Sequence, residues 1–253
     1  IRINSNGSIR MIYDGTSAHK NGEASEDRQY GTSQFNTGWD NNMYVGYMYT
    51  SGEAHGTGTS SAIKTNADKF YTDKLSSYAS KLDTYVGFCG DRSNLNQQSG
   101  VGTGTVITYN KGYLRVVESA PTLTCENASD YYTVASASSG NKKLSCPIGL
   151  VTADEMMLAG HAGGVFDGTY NHMKTNNGSY LVTGNDFWAM TPAGGYNPFG
   201  LTLWDAKVFS VFGSGTFDDY VVSGAFGLRP VINIRSDVTI TGRGTMTDPY
   251  VVS

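Results

Sequence analysis

Charge is scarce in this 253-residue chain: Asp, Glu, Lys and Arg together supply 16% of it, and the formal net charge is −4. With no run of Lys or Arg, the sequence has no electrostatic footprint for nucleic acid or for an anionic membrane surface. No segment approaches the ~20 consecutive apolar residues of a membrane helix, so no direct membrane insertion is expected within the chain. Cysteine is limited to Cys89, Cys125 and Cys146, without the CxxC or Cys/His spacing of a zinc site. On spacing alone, one disulfide with a free thiol and three reduced thiols carry nearly equal weight. Also missing are a G-x-S-x-G elbow, a Walker loop and an H-E-x-x-H pair, which removes the commonest nucleophile, nucleotide and metalloprotease templates. No cofactor is expected. Metal content stays open: calcium is conceivable, but no D-x-[DN]-x-[DN]-G loop supports it.

Glycine (32) and tyrosine (17) are abundant by contrast, and an apolar content of 39% over this length suffices for a real core. Richness in Ser, Thr, Asn, Gly and Tyr with little Lys and Glu leans towards an extracellular setting, which favours a disulfide. One domain over residues 1–253 is expected. The opening "IRINSNGSIRMIY" reads as two alternating arms around an Asn6-Gly7 hairpin turn. Because it starts inside a strand, an N-terminal leader or anchor is expected before Ile1.

Helical periodicity runs from Ile63 to Leu82 through Ala67, Phe70, Tyr71, Leu75, Tyr78 and Ala79, behind a Ser60 or Ser61 cap. A second, two-turn helix is signalled by the capping box Thr152/Glu155, continues through Met156, Met157 and Leu158, and ends at Gly160. Strand material punctuated by Gly and Asn fills the rest, closing with "VINI" and "VTI". Strands at both ends around two helices predict an α+β fold with its terminal strands paired.

Candidate chemistry is thin. His19, His55, His161 and His172 are scattered among Gly- and Asn-rich turns and read as solvated loop histidines. Asp154 and Glu155 open a helix, where the macrodipole favours negative charge, so they read as caps. Asp218 and Asp219 are neighbours in a strand and point to opposite faces, which keeps them from sharing a ligand. N-x-S/T acceptors at Asn6, Asn127 and Asn177 matter only in a glycosylating host.

The segment "KVFSVFGSGTFDDYVVSGAF", Lys207 to Phe226, alternates as a β-hairpin with two mixed faces. Burying both faces would place Lys207, Asp218 and Asp219 in the core unpaired, at several kcal/mol each. The cheaper expectation turns Val208, Val211, Phe217 and Val222 inward and Ser210, Phe212, Asp218, Asp219, Tyr220 and Phe226 outward. Such a surface, rich in aromatics, Ser and Asp, has the composition of a paratope. Tyr196, Asn197 and Phe199 of the "GGYNPFG" loop extend it.

"NDFWAMTP" followed by "GLRPVINIRSDVTI", together with "CPIGLVTADEMMLAG" and "IRINSNGSIRMIYDG", resembles a group of bacterial cell-surface and phage-associated proteins of C-type-lectin-like fold. That fold type is shared by formylglycine-generating enzymes and by the variable proteins of diversity-generating retroelements. Family-like segments spread over nearly the whole chain, and the most specific are Trp188 to Pro192 and Gly227 to Pro230. The resemblance implies a single C-type-lectin-like domain with paired terminal strands, two helices and a loop-rich binding lobe. It also implies a Cys89–Cys125 disulfide, leaving Cys146 free.

The enzyme branch of that fold uses reactive cysteines towards the C-terminal end of the domain, and no cysteine follows Cys146; no enzymatic activity is expected. The binding branch implies a variable ligand-binding region over residues 188–230, formed by Tyr196, Asn197, Phe199, Trp204, Lys207, Ser210, Phe212, Thr216, Asp218, Asp219, Tyr220, Ser223 and Phe226. From Ser210 onward these are reachable from an AAY codon by substitution, whereas Trp204 and Lys207 are not. The expected function is adhesin-type display of a binding patch, extracellular, on a cell surface or phage particle, with a protein or glycan on another surface as partner. The alternative is a structural surface module, a pilin-like or stalk subunit, that uses the same patch for assembly.

Overall fold

A computed structural model describes residues 1–20, 22–96, 99–137, 139–161, 179–196 and 205–253. His172, Asn177, Asn197, Phe199 and Trp204 lie outside the described residues. Strands β1 (Arg2–Ile3) and β2 (Ile9–Ile12) open the chain, and β3 (Thr32–Gln34), β4 (Met48–Tyr49) and β5 (Thr59–Ser60) lead to helix α1 (Ala62–Phe70). Then come β6 (Phe88–Cys89), β7 (Thr108–Tyr109), α2 (Lys111–Glu118), β8 (Tyr131–Tyr132) and α3 (Ala153–Leu158). The last third holds β9 (Phe187–Tyr196), β10 (Asp205–Val211), β11 (Phe217–Val221), β12 (Ala225–Gly227), β13 (Val231–Ile234) and a closing hairpin, β14 (Ile240–Thr241) with β15 (Val251–Val252). Helices and sheets are mixed, as the alternating patterns predict.

The N-terminal hairpin pairs with the "VINI" strand, whereas the last two strands, β14 and β15, pair only with each other. Gly7, at φ +82°, makes the turn between β1 and β2, and β2 pairs antiparallel with β13 from Ile12↔Val231 to Ile9↔Ile234. The larger sheet runs in the order β11-β10-β9-β12-β3, with β7 pairing the end of β9 at Gly194 and Gly195. All ten residues of β9 are buried. They are enclosed by β10 on one edge, by β12 and β7 on the other, and by α2 and α3, which pack against the strand. At Gly112 of α2 a side chain would collide with Thr191, so glycine is what lets the helix come this close.

Two helix expectations need correction. The α-helix capped by Ser61, whose side chain accepts from the Lys64 amide, stops at Phe70 and continues as a π-helical turn, Tyr71–Leu75, and a 3-10 turn, Ser76–Lys81. Past Phe70 the apolar stripe is buried unevenly: Tyr71 and Leu75 are half-buried, Tyr78 and Ala79 are exposed and Leu82 is buried, so packing no longer enforces regular geometry along the whole stripe. A third helix, α2, has a weak sequence signal because "KGYLRVVE" combines Gly with two β-branched valines, yet its Tyr113 and Val116 are buried. In α3 both arms of the capping box form: the Glu155 amide donates to Thr152 Oγ1 at 3.1 Å and the Thr152 amide donates to Glu155 Oε2 at 3.0 Å. Cys89 is bonded to Cys125, and Cys146 is free.

Candidate functional site

The predicted hairpin forms, with β10 and β11 in register from Lys207↔Val221 to Val211↔Phe217 and Gly215 at φ +85° in the turn. Its two faces pack differently. One carries Phe209, Phe217 and Asp219: Phe209 stacks on Phe217 at 5.2 Å and on Tyr113 of α2 at 6.4 Å, and Phe217 meets the His161 ring at 5.9 Å. The other carries Val208, Ser210, Asp218 and Tyr220 beside an aromatic column. In that column Phe35 touches Trp188 at 5.7 Å, Trp188 touches Phe226 at 4.8 Å, and Phe226 touches both Tyr220 (4.8 Å) and Phe212 (5.4 Å).

Val208, Val211, Phe217 and Val222 point inward as expected. Of the six residues expected outward, only Tyr220 is exposed, at 40%. Ser210, Asp219 and Phe226 are buried, and Phe212 and Asp218 are half-buried. The physical reason is that the charges are not left unpaired. Tyr196, itself buried, donates its hydroxyl to the Asp219 carboxylate at 3.0 Å, and Lys207 Nζ sits 3.2 Å from the same carboxylate and 4.8 Å from the centre of the Tyr196 ring. These contacts offset the desolvation that an unpaired carboxylate would suffer. Burial first, and then the Asp219 charge, hold the Tyr196 hydroxyl far above the usual phenol range. Ser210 is satisfied by donating to the Asp218 carbonyl.

Tyr109, exposed at 37% and stacked on Tyr196 at 5.2 Å, joins this group although nothing in its local sequence marks it. It lies far upstream in sequence and reaches the site only because β7 pairs with β9. Asp218 and Asp219 do take opposite faces, yet they stay coupled: the Asp219 amide donates to Asp218 Oδ1 at 2.8 Å. Burial, followed by the Asp219 charge, raises the Asp218 carboxyl to about 7.

Both motif blocks are braces. Trp188 donates its indole N–H to the Ser33 carbonyl at 2.8 Å, and Arg229 donates to Asp14 (2.7 Å), the Leu181 carbonyl (2.8 Å) and the Tyr13 carbonyl (3.1 Å). They clamp the ends of the hairpin segment without meeting solvent. What remains for contact is a rim: Tyr220, with partly exposed Phe212, Thr216, Asp218 and Ser223, and Lys207 on the other face.

Set beside family models, curated proteins and solved structures, the chain matches none. Function therefore rests on what the geometry of the site can do. Among the described residues no cluster of three His, Cys, Asp or Glu side chains is placed to hold a metal.

The histidines also depart from expectation. His19 Nε2 lies 2.9 Å from Asp27, and His55 Nδ1 lies 2.8 Å from buried Asp130, which also pairs with Arg92. His161 is buried, and neither ring nitrogen has a partner among the described residues. Burial lowers it to about 4. A neutral buried histidine stabilises the fold fully above the unfolded value of about 6.5, and this contribution is lost as pH falls through about 4. Between about pH 7 and pH 4.5 the chain should lose about 2 kcal/mol of stability through this group. His161→Phe should flatten that slope in urea titrations at the two pH values.

Proposed function

We propose that the chain is a non-enzymatic ligand-binding domain of C-type-lectin-like fold, displayed outside the cell, with its contact surface on the outer rim of the β10–β11 hairpin. The pairing of the N-terminal hairpin with β13 and the Cys89–Cys125 disulfide support the fold and setting. The contact reading is carried by one observation: Tyr220 is open to solvent while its ring rests on the buried column of Phe226, Trp188 and Phe35. A ring held in this way offers apolar area and a hydroxyl at little cost in conformational entropy, which is the economy of aromatic paratope residues. Phe212 widens the apolar patch, and Asp218, Ser223 and Thr216 surround it with hydrogen-bonding groups. This mixture suits a protein surface or the ring face and hydroxyls of a glycan.

The test is a glycan and extracellular-protein array probed with the purified chain and with the double variant Tyr220→Ala/Ser223→Ala. The wild-type chain should give discrete signals that the variant loses, while stability changes by less than about 1 kcal/mol, as for surface substitutions. Signals unchanged in the variant would place the contact surface elsewhere.

A further inference from the structure

Beside the disulfide lies a polar pocket of about 260 Å³ that shares no residue with the hairpin rim. Strands β1, β2 and β6, the first turn of α3 and residues 122–125 surround it. That last segment is fastened twice, by the Cys89–Cys125 bond and by the Thr122 amide, which donates to Asp154 Oδ1 at 3.0 Å. The pocket wall is therefore in place before any ligand arrives, which lowers the cost of binding one. Its volume falls just below the ~300–1,000 Å³ of drug-sized sites and suits a small metabolite.

Three arginines and three carboxylates line the pocket, so their charges sum to zero, but the pairing is lopsided. At one end Arg2 and its cross-strand neighbour Arg10 share a single acid: Glu155 Oε1 accepts from Arg10 Nη1 at 2.7 Å and from Arg2 Nε at 2.9 Å. Arg10 directs its other nitrogens to Asn233 and to the Gly87 carbonyl. Arg2, whose side chain is 25% exposed, keeps both Nη groups without a partner among the described residues. This end carries one positive charge in excess.

At the other end two acids share one arginine. Arg115 Nη1 donates to Asp91 Oδ2 at 2.7 Å, while its Nε and Nη2 donate to Asp154 at 2.7 and 3.0 Å. Both carboxylates are buried. A carboxylate offers about four lone-pair positions, and Asp91 fills two, with Arg115 and with the Ser93 amide at 3.2 Å. This end carries one negative charge in excess and has room for further donors.

We propose that the pocket binds a small zwitterion of the amino-acid class, its carboxylate on the Arg2 guanidinium and its ammonium on Asp91 and Asp154. A guanidinium edge with two unpaired nitrogens grips a carboxylate bidentately, and an ammonium supplies three donors to acceptors with positions to spare. A simple anion would leave the acidic end unmatched, and a simple cation the basic end; a molecule bearing both charges complements the two. A doubly charged phosphate fits less well, because Arg2 is the one lining arginine with nitrogens to spare among the described residues.

Thermal melts and calorimetric titrations of the intact chain test this with the standard α-amino acids, β-alanine and γ-aminobutyric acid at up to about 10 mM, since a ligand of the folded state raises the melting temperature by mass action. At least one should raise the melting temperature and give a saturable heat. Its methyl ester and its N-acetyl derivative, each lacking one of the two charges, should bind at least about tenfold more weakly. Arg2→Gln should weaken the same ligand by about tenfold or more. Thr124→Trp, at an exposed position lining the pocket, should block it while leaving both charged ends intact. Because the two substitutions lie on different elements, misfolding of one leaves the other decisive. No response to any member of the panel would overturn the proposal. So would a derivative that binds as tightly as its parent amino acid, or either variant, folded, binding as the wild type does.

Discussion

Replacing Glu155 by Leu should lower the stability of the fold by about 4 kcal/mol, the cost of stranding a buried charge. Glu155 Oε1 accepts from Arg10 Nη1 at 2.7 Å and from Arg2 Nε at 2.9 Å, while Oε2 completes the cap of α3. Arg10 and Glu155 are both fully buried where the terminal sheet meets α3. Removal of the carboxylate leaves the Arg10 guanidinium without its counter-charge and also breaks the capping box, worth about 1 kcal/mol on its own. Burial opposes the charge on Glu155, but the Arg10 charge, the Thr152 amide and the two arginine hydrogen bonds prevail and hold the carboxyl below its usual range. The contribution is therefore present above the unfolded value of about 4.5 and fades as pH falls below it. Denaturant titration followed by circular dichroism measures the loss. Glu155→Gln keeps an acceptor for the Thr152 amide and should lose less than the Leu variant. A loss under about 1 kcal/mol for Leu would mean that the pair contributes nothing net.

Phe226→Ala should cost about 3–4 kcal/mol, the range for deleting a buried aromatic side chain. Phe226 is 8% exposed and lies between Trp188, Phe212 and Tyr220, none of which can collapse into the space without abandoning its other neighbours. Tyr220→Ala, one contact further out on the same column, should cost less than about 1 kcal/mol. Thermal melts of the two variants side by side separate core from rim. Equal losses would contradict the assignment of Tyr220 to the surface.

Much of the architecture was legible in residues whose neighbours in sequence are also their neighbours in space. The Asn6-Gly7 turn, the Ser61 and Thr152 caps, and the alternation from Lys207 to Val221 all depend on local hydrogen bonds and periodicity, and all formed. The failures came where distant partners decide the outcome. Asp219 reads as a surface carboxylate until Tyr196 and Lys207 are placed beside it, and Phe226 reads as a patch residue until β12 sets it on Trp188. Helix α2 is masked by its glycine, whose value appears only against Thr191 of β9. Of the residues expected to form a surface on the hairpin, Ser210, Asp219 and Phe226 thus belong to the core beneath it.

Hydroxyl-radical footprinting of the intact chain, free and with a ligand selected on the array, bears most directly on the binding surface. Tyr220 should be oxidised in the free chain and protected in the complex, while Phe209, Phe217 and Phe226 stay unmodified in both. Oxidation at Tyr220 that the ligand leaves unchanged, or Phe226 oxidised as heavily as Tyr220, would contradict the account of a ligand-binding rim standing on a buried hairpin.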